Sequence, residues 1–237
     1  MVSTAPTLYL FPCPMGDVKP TEVLPAPNIE ILKTVKYFIV ENVRSARRFI
    51  RACSAEIDID TLQFSELNRH TSPDEVAGML KPMAEGHSMG VISEAGCPAV
   101  ADPGSDVVAI AQRKGYPVCP LVGPSSIIMA LMGSGFNGQS FAFCGYLPID
   151  AAERSAKLKE MERRIRREHQ TQIFIETPYR NNRLIAAMCS ALPSDLLLCV
   201  ASDITGPKQS ILTQPISQWK SKKYDYDKIP TIFLLYK

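Results

Sequence analysis

The chain has little that would staple or anchor it. Its seven cysteines (Cys13, Cys53, Cys97, Cys119, Cys144, Cys189 and Cys199) are odd in number, widely spaced and never form a Cys-x-x-Cys pair. That pattern speaks against a zinc site or a disulfide framework and for buried free thiols in a reducing cytoplasm. His70, His87 and His169 are isolated, and neither His-x-His nor His-Glu-x-x-His occurs, so no metal is expected. The start carries no basic leader, and Pro12 and Pro14 interrupt its apolar stretch, so no signal peptide is expected. The longest apolar stretch, Val118 to Met132, is broken by Pro120, Gly123, Pro124, Ser125 and Ser126 and cannot span a bilayer. A formal net charge of +2 does not by itself imply nucleic acid, so any basic surface must be local.

What is present is an ordinary globular composition. The 237 residues are 46% hydrophobic and 21% charged, enough for one large domain or two small lobes with their own cores. The 19 prolines and 13 glycines cluster at the ends of apolar runs, where turns belong. Strands are expected at Thr7–Phe11, Tyr37–Val40, Leu62–Phe64, Met89–Ser93, Pro117–Leu121, Ser140–Cys144, Gln172–Glu176, Leu196–Ser202 and Thr231–Tyr236. Helices are expected between them. One starts at Asn28 as N-cap; one covers Ser45 to Cys53; one starts at Ser72, with Pro73 first and Glu75 completing a capping box, and ends at Gly86. Others cover Ser105–Lys114, Ser125–Met132, Ala151–His169 and Tyr179–Ser190. Strands alternating with helices signal a parallel sheet covered on both faces. The lobe boundary is placed near Leu121, giving lobes 1–121 and 122–237.

Three loops of the first half follow expected strands: Pro12 to Asp17, Ser93 to Gly104, and Val122 to Ser126. In an open α/β sheet, ligands bind outside the carboxyl ends of the strands, where glycine permits close backbone approach and proline stiffens the turn. None of the three is a G-x-G-x-x-G fingerprint or a Walker A loop.

These loops, in order, resemble the tetrapyrrole-methylase superfamily of S-adenosylmethionine-dependent methyltransferases, and within it the ribosomal RNA small-subunit 2′-O-ribose (cytidine) methyltransferases. The matching segments are Cys13-Pro14-Met15-Gly16-Asp17-Val18, Glu41-Asn42-Val43-Arg44, Ser93-Glu94-Ala95-Gly96-Cys97-Pro98 with Asp102-Pro103-Gly104, Val122-Gly123-Pro124-Ser125-Ser126, Gly145-Tyr146-Leu147-Pro148 and Ile175-Glu176-Thr177-Pro178-Tyr179-Arg180. The resemblance implies a two-lobed α/β fold, mostly parallel in the first lobe and mixed in the second, with S-adenosylmethionine in the cleft and usually a homodimer. Carried over by position, the cofactor contacts are Met15, Glu94, Gly96, Ser125, Ser126, Ile175 and Pro230. The sequence departs from the pattern at Asn42-Val43, where the family reads Asp-Thr, at Glu94, where it reads Asp, and at Phe64 to Asn68, where both family histidines are absent.

A ribose hydroxyl is a poor nucleophile and benefits from a general base. Glu41 and Glu66 are the carboxylates expected to act on the acceptor, with Arg44 as an acceptor or phosphate anchor. A local Glu41–Arg44 ion pair is the competing reading of that spacing. Arg44, Arg47, Arg48 and Arg51, with no acid between them, form the better RNA candidate; the Arg163 to Arg167 run shares its helix with glutamates and reads as a solvated face. The leading reading is an RNA ribose methyltransferase, with RNA or the ribosomal subunit as partner. Methylation of a tetrapyrrole or other small molecule, and a module that binds the cofactor without turnover, stay open.

Overall fold

The computed structural model describes residues 5–67 and 71–237. Asn68 and His70, named above, lie outside the described residues. The chain divides into two compact units, the first ending at Ser125 and the second covering Ser126–Lys237.

The first unit runs β1 (Leu8–Phe11), α1 (Pro20–Val23), α2 (Ala26–Leu32), β2 (Tyr37–Val40), α3 (Val43–Cys53), a 3-10 turn (Ile59–Thr61), β3 (Gln63–Glu66), α4 (Pro73–Met79), α5 (Lys81–Ala84), β4 (Met89–Ile92), α6 (Ser105–Arg113) and β5 (Val118–Pro120). Its five strands are all parallel, in the order β3-β2-β4-β1-β5. Successive strand residues face opposite ways, and both faces are covered. Leu8, Leu10, Ile39 and Val91 pack with Val76, Leu80, Val107 and Ile110. Phe11, Phe38, Val40 and Ile92 pack with Leu32, Ala46 and Ile50. Pro120, which has no N–H to donate, sits on the edge strand, where no ladder bond is lost.

Three expected helix boundaries are corrected. Asn28 does not cap α2: the helix starts at Ala26 behind Pro25, and Asn28 is buried inside it, donating its carboxamide N–H to the Val122 carbonyl at 2.8 Å. Asn42 caps α3 instead, its side chain accepting from Ser45 N–H at 3.0 Å, so that helix starts before Ser45. The Ser72 capping box forms as expected, with Ser72 N–H on the Glu75 carboxylate at 2.7 Å. Its helix, however, breaks at Leu80, because Pro82 has no N–H to donate back to Gly78 O four residues earlier and is favoured instead in the first turn of the new helix α5.

The second unit runs α7 (Ser126–Ser134), β6 (Phe141–Tyr146), α8 (Ala151–Glu168), β7 (Thr171–Ile175), a 3-10 turn (Pro178–Arg180), α9 (Asn181–Ala191), β8 (Leu197–Ser202), β9 (Ser210–Pro215), α10 (Ile216–Ser221) and β10 (Thr231–Tyr236). The sheet is mixed, ordered β6-β7-β10-β8-β9, with β6 and β7 its parallel pair. Strand β9 and helix α10 were not expected from sequence. Burial of Trp219 reveals why α10 matters: its indole N–H donates to the Leu198 carbonyl at 3.1 Å inside the core around Phe174 and Phe233. Among the described residues no helix is long and apolar enough to cross a membrane, and no group of His, Cys, Asp and Glu is placed to hold a metal.

Candidate functional site

In the first unit the site is built where β1 and β4 lie side by side and their onward connections depart in opposite directions, to β2 and to β5. A crevice opens at such a switch point, outside the carboxyl ends of the strands. The loops after β1 and β4 are tied there by a reciprocal bridge: Cys13 N–H donates to Gly96 O at 2.8 Å, and Gly96 N–H to Cys13 O at 3.1 Å. The loop after β5 joins them, with the Cys97 thiol 3.4 Å from Pro124 O and the buried Asn28 amide holding Val122 O.

Gly96 adopts φ +67°, a conformation that strains any side chain. A Cβ there would lie 3.8 Å from Pro124 O and 3.9 Å from the Met15 Cγ and Sδ, so Gly96, Met15 and Pro124 outline one small cradle. Gly123 is needed for a different reason: a Cβ there would come within 2.3 Å of the Pro12 ring. Ala99 and Ala101 also take positive φ, at 66° and 64°. Such strain in non-glycine residues marks a loop whose shape the surroundings over-determine.

That strained loop returns Asp102 toward the strand ends. Partial burial, then the Glu41 charge, then Glu94 raise the Asp102 carboxyl to about 6, against an opposing hydrogen bond with Ser93. Glu41 follows β2 and has one carboxylate oxygen buried without a hydrogen-bond partner. The local ion pair with Arg44, the competing reading of the sequence, is absent among the described residues, and Arg44 is exposed on the first turn of α3. Glu66 ends β3, at the sheet edge in register with Val40, and is exposed. Glu94 is exposed beside the Gly96 cradle, whereas burial pushes the Cys13 thiol up and holds Cys53 at about 12, so neither is a nucleophile. Asp102 was quoted from the sequence but not singled out. Its neighbours in the chain, Pro103 and Gly104, read as turn residues, and nothing local announces the distant carboxylates.

The remaining sequence-derived contacts belong to the second unit. Ser126 opens α7, Ile175 ends β7, and Pro230 precedes β10, which pairs with β7 through Ile232 and Ile175. The Pro230 segment is pinned by Asn181, which sequence reading passed over. Its buried carboxamide donates to Tyr226 O and Ile229 O, each at 2.8 Å, and to Thr231 Oγ1 at 3.2 Å. Replacing it by leucine removes these bonds, although Ile229 O still accepts from Thr231 Oγ1 and Tyr226 O from Ile229 N–H. Asn181→Leu is expected to lower stability by about 1 kcal/mol in chemical denaturation, the net worth of lost hydrogen bonds whose acceptors keep another donor. An unchanged midpoint would remove Asn181 as the anchor.

Gly133-Ser134-Gly135-Phe136-Asn137-Gly138 has dinucleotide-fingerprint spacing, but it begins in the last turn of helix α7 and leads into strand β6, the reverse of the order that places a pyrophosphate on a helix N-terminus. Gly133 serves packing, since a Cβ there would meet Ile211 Cδ1 at 2.6 Å. The arginines sort as their charge surroundings suggest. On α8, Glu160 holds Arg164 at 2.9 Å, and Glu162 holds Arg166 at 2.9 Å. On α3, Arg47 pairs with Asp60 at 2.6 Å, while Arg44, Arg48 and Arg51 are exposed on the same stripe.

An all-parallel first sheet and a mixed second sheet define a two-unit α/β protein of the tetrapyrrole-methylase fold. The methyltransferase CobJ superposes with a TM-score of 0.63 at 15% identity, over 99% of this chain and 95% of that one. Uroporphyrin-III-C-methyltransferase from Thermus thermophilus superposes with a TM-score of 0.57 at 14% identity, over 98% of this chain and 94% of that one. In sequence the chain is a homologue of the proteins named ribosomal RNA small subunit methyltransferase I. It is 29% identical to the one from Vibrio cholerae over 90% of this chain and 70% of that protein. The one from Micromonospora olivasterospora is 32% identical over 87% of this chain and 62% of that protein. The Bacillus subtilis protein is 28% identical over 89% of this chain and 68% of that protein. The chain thus spans about two thirds of the length of these relatives. No protein-family model matches it.

Proposed function

We propose that this chain is an S-adenosylmethionine-dependent methyltransferase of the cytoplasm whose acceptor is a ribose hydroxyl in small-subunit ribosomal RNA. The observation that carries the reading is the convergence of the Pro12, Ser93 and Val122 loops around the Gly96 cradle, with Glu94, Asp102 and Glu41 as the charges about it. The donor set fits the cofactor: carboxylates suit its cationic methionine end, and backbone exposed at glycine suits its polar edges. Met15, Glu94, Gly96 and Ser125 of the first unit would hold it. When bound, S-adenosylmethionine supplies a methyl group already activated on a sulfonium, so the chain has to align the acceptor, exclude water and accept a proton.

Asp102 is the residue we assign to the proton. As the acceptor oxygen took the methyl group that a bound cofactor would supply, the Asp102 carboxylate would accept the hydroxyl proton. Partial burial, and after it the charges of Glu41 and Glu94, hold the basicity of that carboxylate up. Glu41 and Glu66 remain the alternative bases, and Arg44 with the α3 stripe is the surface we assign to acceptor phosphates. A homodimer is also proposed, from the exposed Ile128 and Met132 one turn apart on α7. Sedimentation of the purified protein as a monomer at micromolar concentration would remove that part.

Calorimetry with S-adenosylhomocysteine tests the core of the reading. Micromolar binding is expected, weakened at least tenfold in Gly96→Val, whose side chain strains a φ +67° backbone and fills the cradle. A wild-type protein that circular dichroism shows to be folded but that binds neither S-adenosylmethionine nor S-adenosylhomocysteine is not a methyltransferase.

A further inference from the structure

The second unit carries a pocket that none of the assignments above uses. It lies outside the carboxyl ends of β6 and β7, the parallel pair, where Tyr146 and Ile175 stand in register. That is the position at which the fold rule places ligands, here repeated inside an otherwise antiparallel sheet. Its lining is Ile149, Arg154, Glu176, Arg180, Arg183 and Leu184, around a cavity of about 60 Å³.

The lining is built rather than incidental. Glu176, its side chain only 7% exposed, takes Arg180 Nε at 3.0 Å and Thr177 N–H at 2.7 Å on one carboxylate oxygen. Its charge is therefore spent on positioning Arg180. Arg154, on the first turn of α8, is fixed by Nη1 bonds to Ile149 O at 2.7 Å and Pro148 O at 3.3 Å, which leaves its other N–H groups to donate elsewhere. Arg183 is exposed at the rim. Three guanidinium groups against one carboxylate leave the pocket cationic. Of the lining, Ile149 faces water at 75% exposure; Tyr179, next to Arg180 in the chain, is 72% exposed, and Tyr146, at the end of β6, is 55% exposed.

We infer that this pocket binds a backbone phosphate of single-stranded RNA while an adjacent base stacks on Tyr179. The inference deepens the RNA-acceptor reading and rests on it for the class of ligand. Size decides between ligand types. A cavity of about 60 Å³ admits a group as large as a few water molecules, hence a phosphate, but neither a nucleobase nor a tetrapyrrole macrocycle. Charge decides for an anion, and guanidinium is the group that pairs with phosphate in two-point geometry. An exposed aromatic beside a phosphate pocket is the usual platform for a splayed base, which a paired strand does not offer.

The test uses the full chain and a fluorescein-labelled twelve-nucleotide single-stranded RNA, read by anisotropy across a salt series. Tyr179→Ala is expected to weaken binding by about 5- to 100-fold, corresponding to one lost base stack, with Tyr179→Phe restoring it. Arg183→Gln is expected to weaken binding and to flatten the dependence of log affinity on log salt by about 0.7, one single-strand phosphate contact. Neither residue belongs to the cofactor cradle, so S-adenosylhomocysteine binding should stay at the wild-type level in both. Wild-type affinity and salt slope in both variants overturn the inference and leave the methyltransferase reading intact. Loss in Arg183→Gln alone, with inorganic phosphate competing as well as RNA, marks a simple phosphate site and overturns the RNA assignment. If the wild type binds no S-adenosylhomocysteine but both RNA effects appear, the pocket assignment holds and the methyltransferase reading falls.

Discussion

Gly123→Ala is expected to weaken S-adenosylhomocysteine binding by at least 100-fold, although it adds a single methyl group. The new Cβ would sit 2.3 Å from both Cβ and Cγ of Pro12 and 3.4 Å from Leu24 Cδ2. A flexible side chain could swing away from such an approach; a proline ring cannot, and Pro12 follows Phe11, which is 2% exposed in the core. The strain must be relieved by moving the Val122 to Ser125 loop. That movement breaks the bond from Asn28 to Val122 O and the Cys97 contact with Pro124 O, and so opens the cradle around Gly96. Overpacking of this kind costs about 1–3 kcal/mol of stability, which thermal unfolding would register beside the calorimetry. Gly123 has no positive φ, so the effect is steric, and Gly96→Ala is the natural contrast. There the Cβ has room, and the expected loss is only the backbone strain of about 1 kcal/mol. Wild-type binding in Gly123→Ala would show that the β5 loop takes no part in the site.

Asp102→Asn is expected to stabilise the protein at alkaline pH while lowering methyl transfer by about 100- to 10,000-fold, the usual contribution of a general base. The sign follows from linkage. The folded Asp102 titrates near 6 against 3.8 for a free carboxyl, so the folded state binds the proton more tightly, and stability falls as pH rises from about 4 to 6. Above that window the ionised group opposes folding. The full shift corresponds to about 3 kcal/mol, and discounting for solvent around a half-buried group leaves about 1 kcal/mol for the asparagine to recover at pH 8 and none at pH 4. In the wild type, transfer from labelled S-adenosylmethionine to small-subunit ribosomal RNA should climb about tenfold per pH unit below 6 and level off above it. An asparagine variant that methylates at the wild-type rate removes Asp102 from the reaction and returns Glu41 and Glu66 as the bases to test, through Glu41→Gln and Glu66→Gln. A site that binds the cofactor, with all three variants matching an inactive wild type, would instead be a binding module.

The gain in one property and loss in the other share a cause. Partial burial of Asp102, reinforced by repulsion from Glu41 and Glu94, disfavours its ionised form, which both weakens the fold and makes Asp102 basic enough to take a proton. An apolar or neutral residue at 102 relaxes the repulsion and removes the base in the same step.

Sequence by itself determined what depends on neighbours within a turn or a strand. The Ser72 to Glu75 capping box, the αL glycine at Gly115, the buried Met89–Ile92 strand and the alternation that makes the first sheet parallel are all set by side chains three or four residues apart. The loops that build the crevice were legible for the same reason, since glycine and proline act on their own backbone. Strand β9 was missed because Ser210–Pro215 mixes polar and apolar residues without a clear alternation, and its place beside β8 supplies the pairing that its sequence does not announce. Tertiary structure alone decided the rest. Asn28 has the residue type of a helix cap yet spends its amide on a carbonyl 94 residues away. Asn181 holds a segment about 50 residues distant. Gly123 is fixed by a proline from another loop, and the basicity of Asp102 is set by its burial and then by Glu41 after another strand. Periodicity, caps and turns are short-range and written along the chain. Steric fit and charge act through space, and they exist only once the strands have brought their ends together.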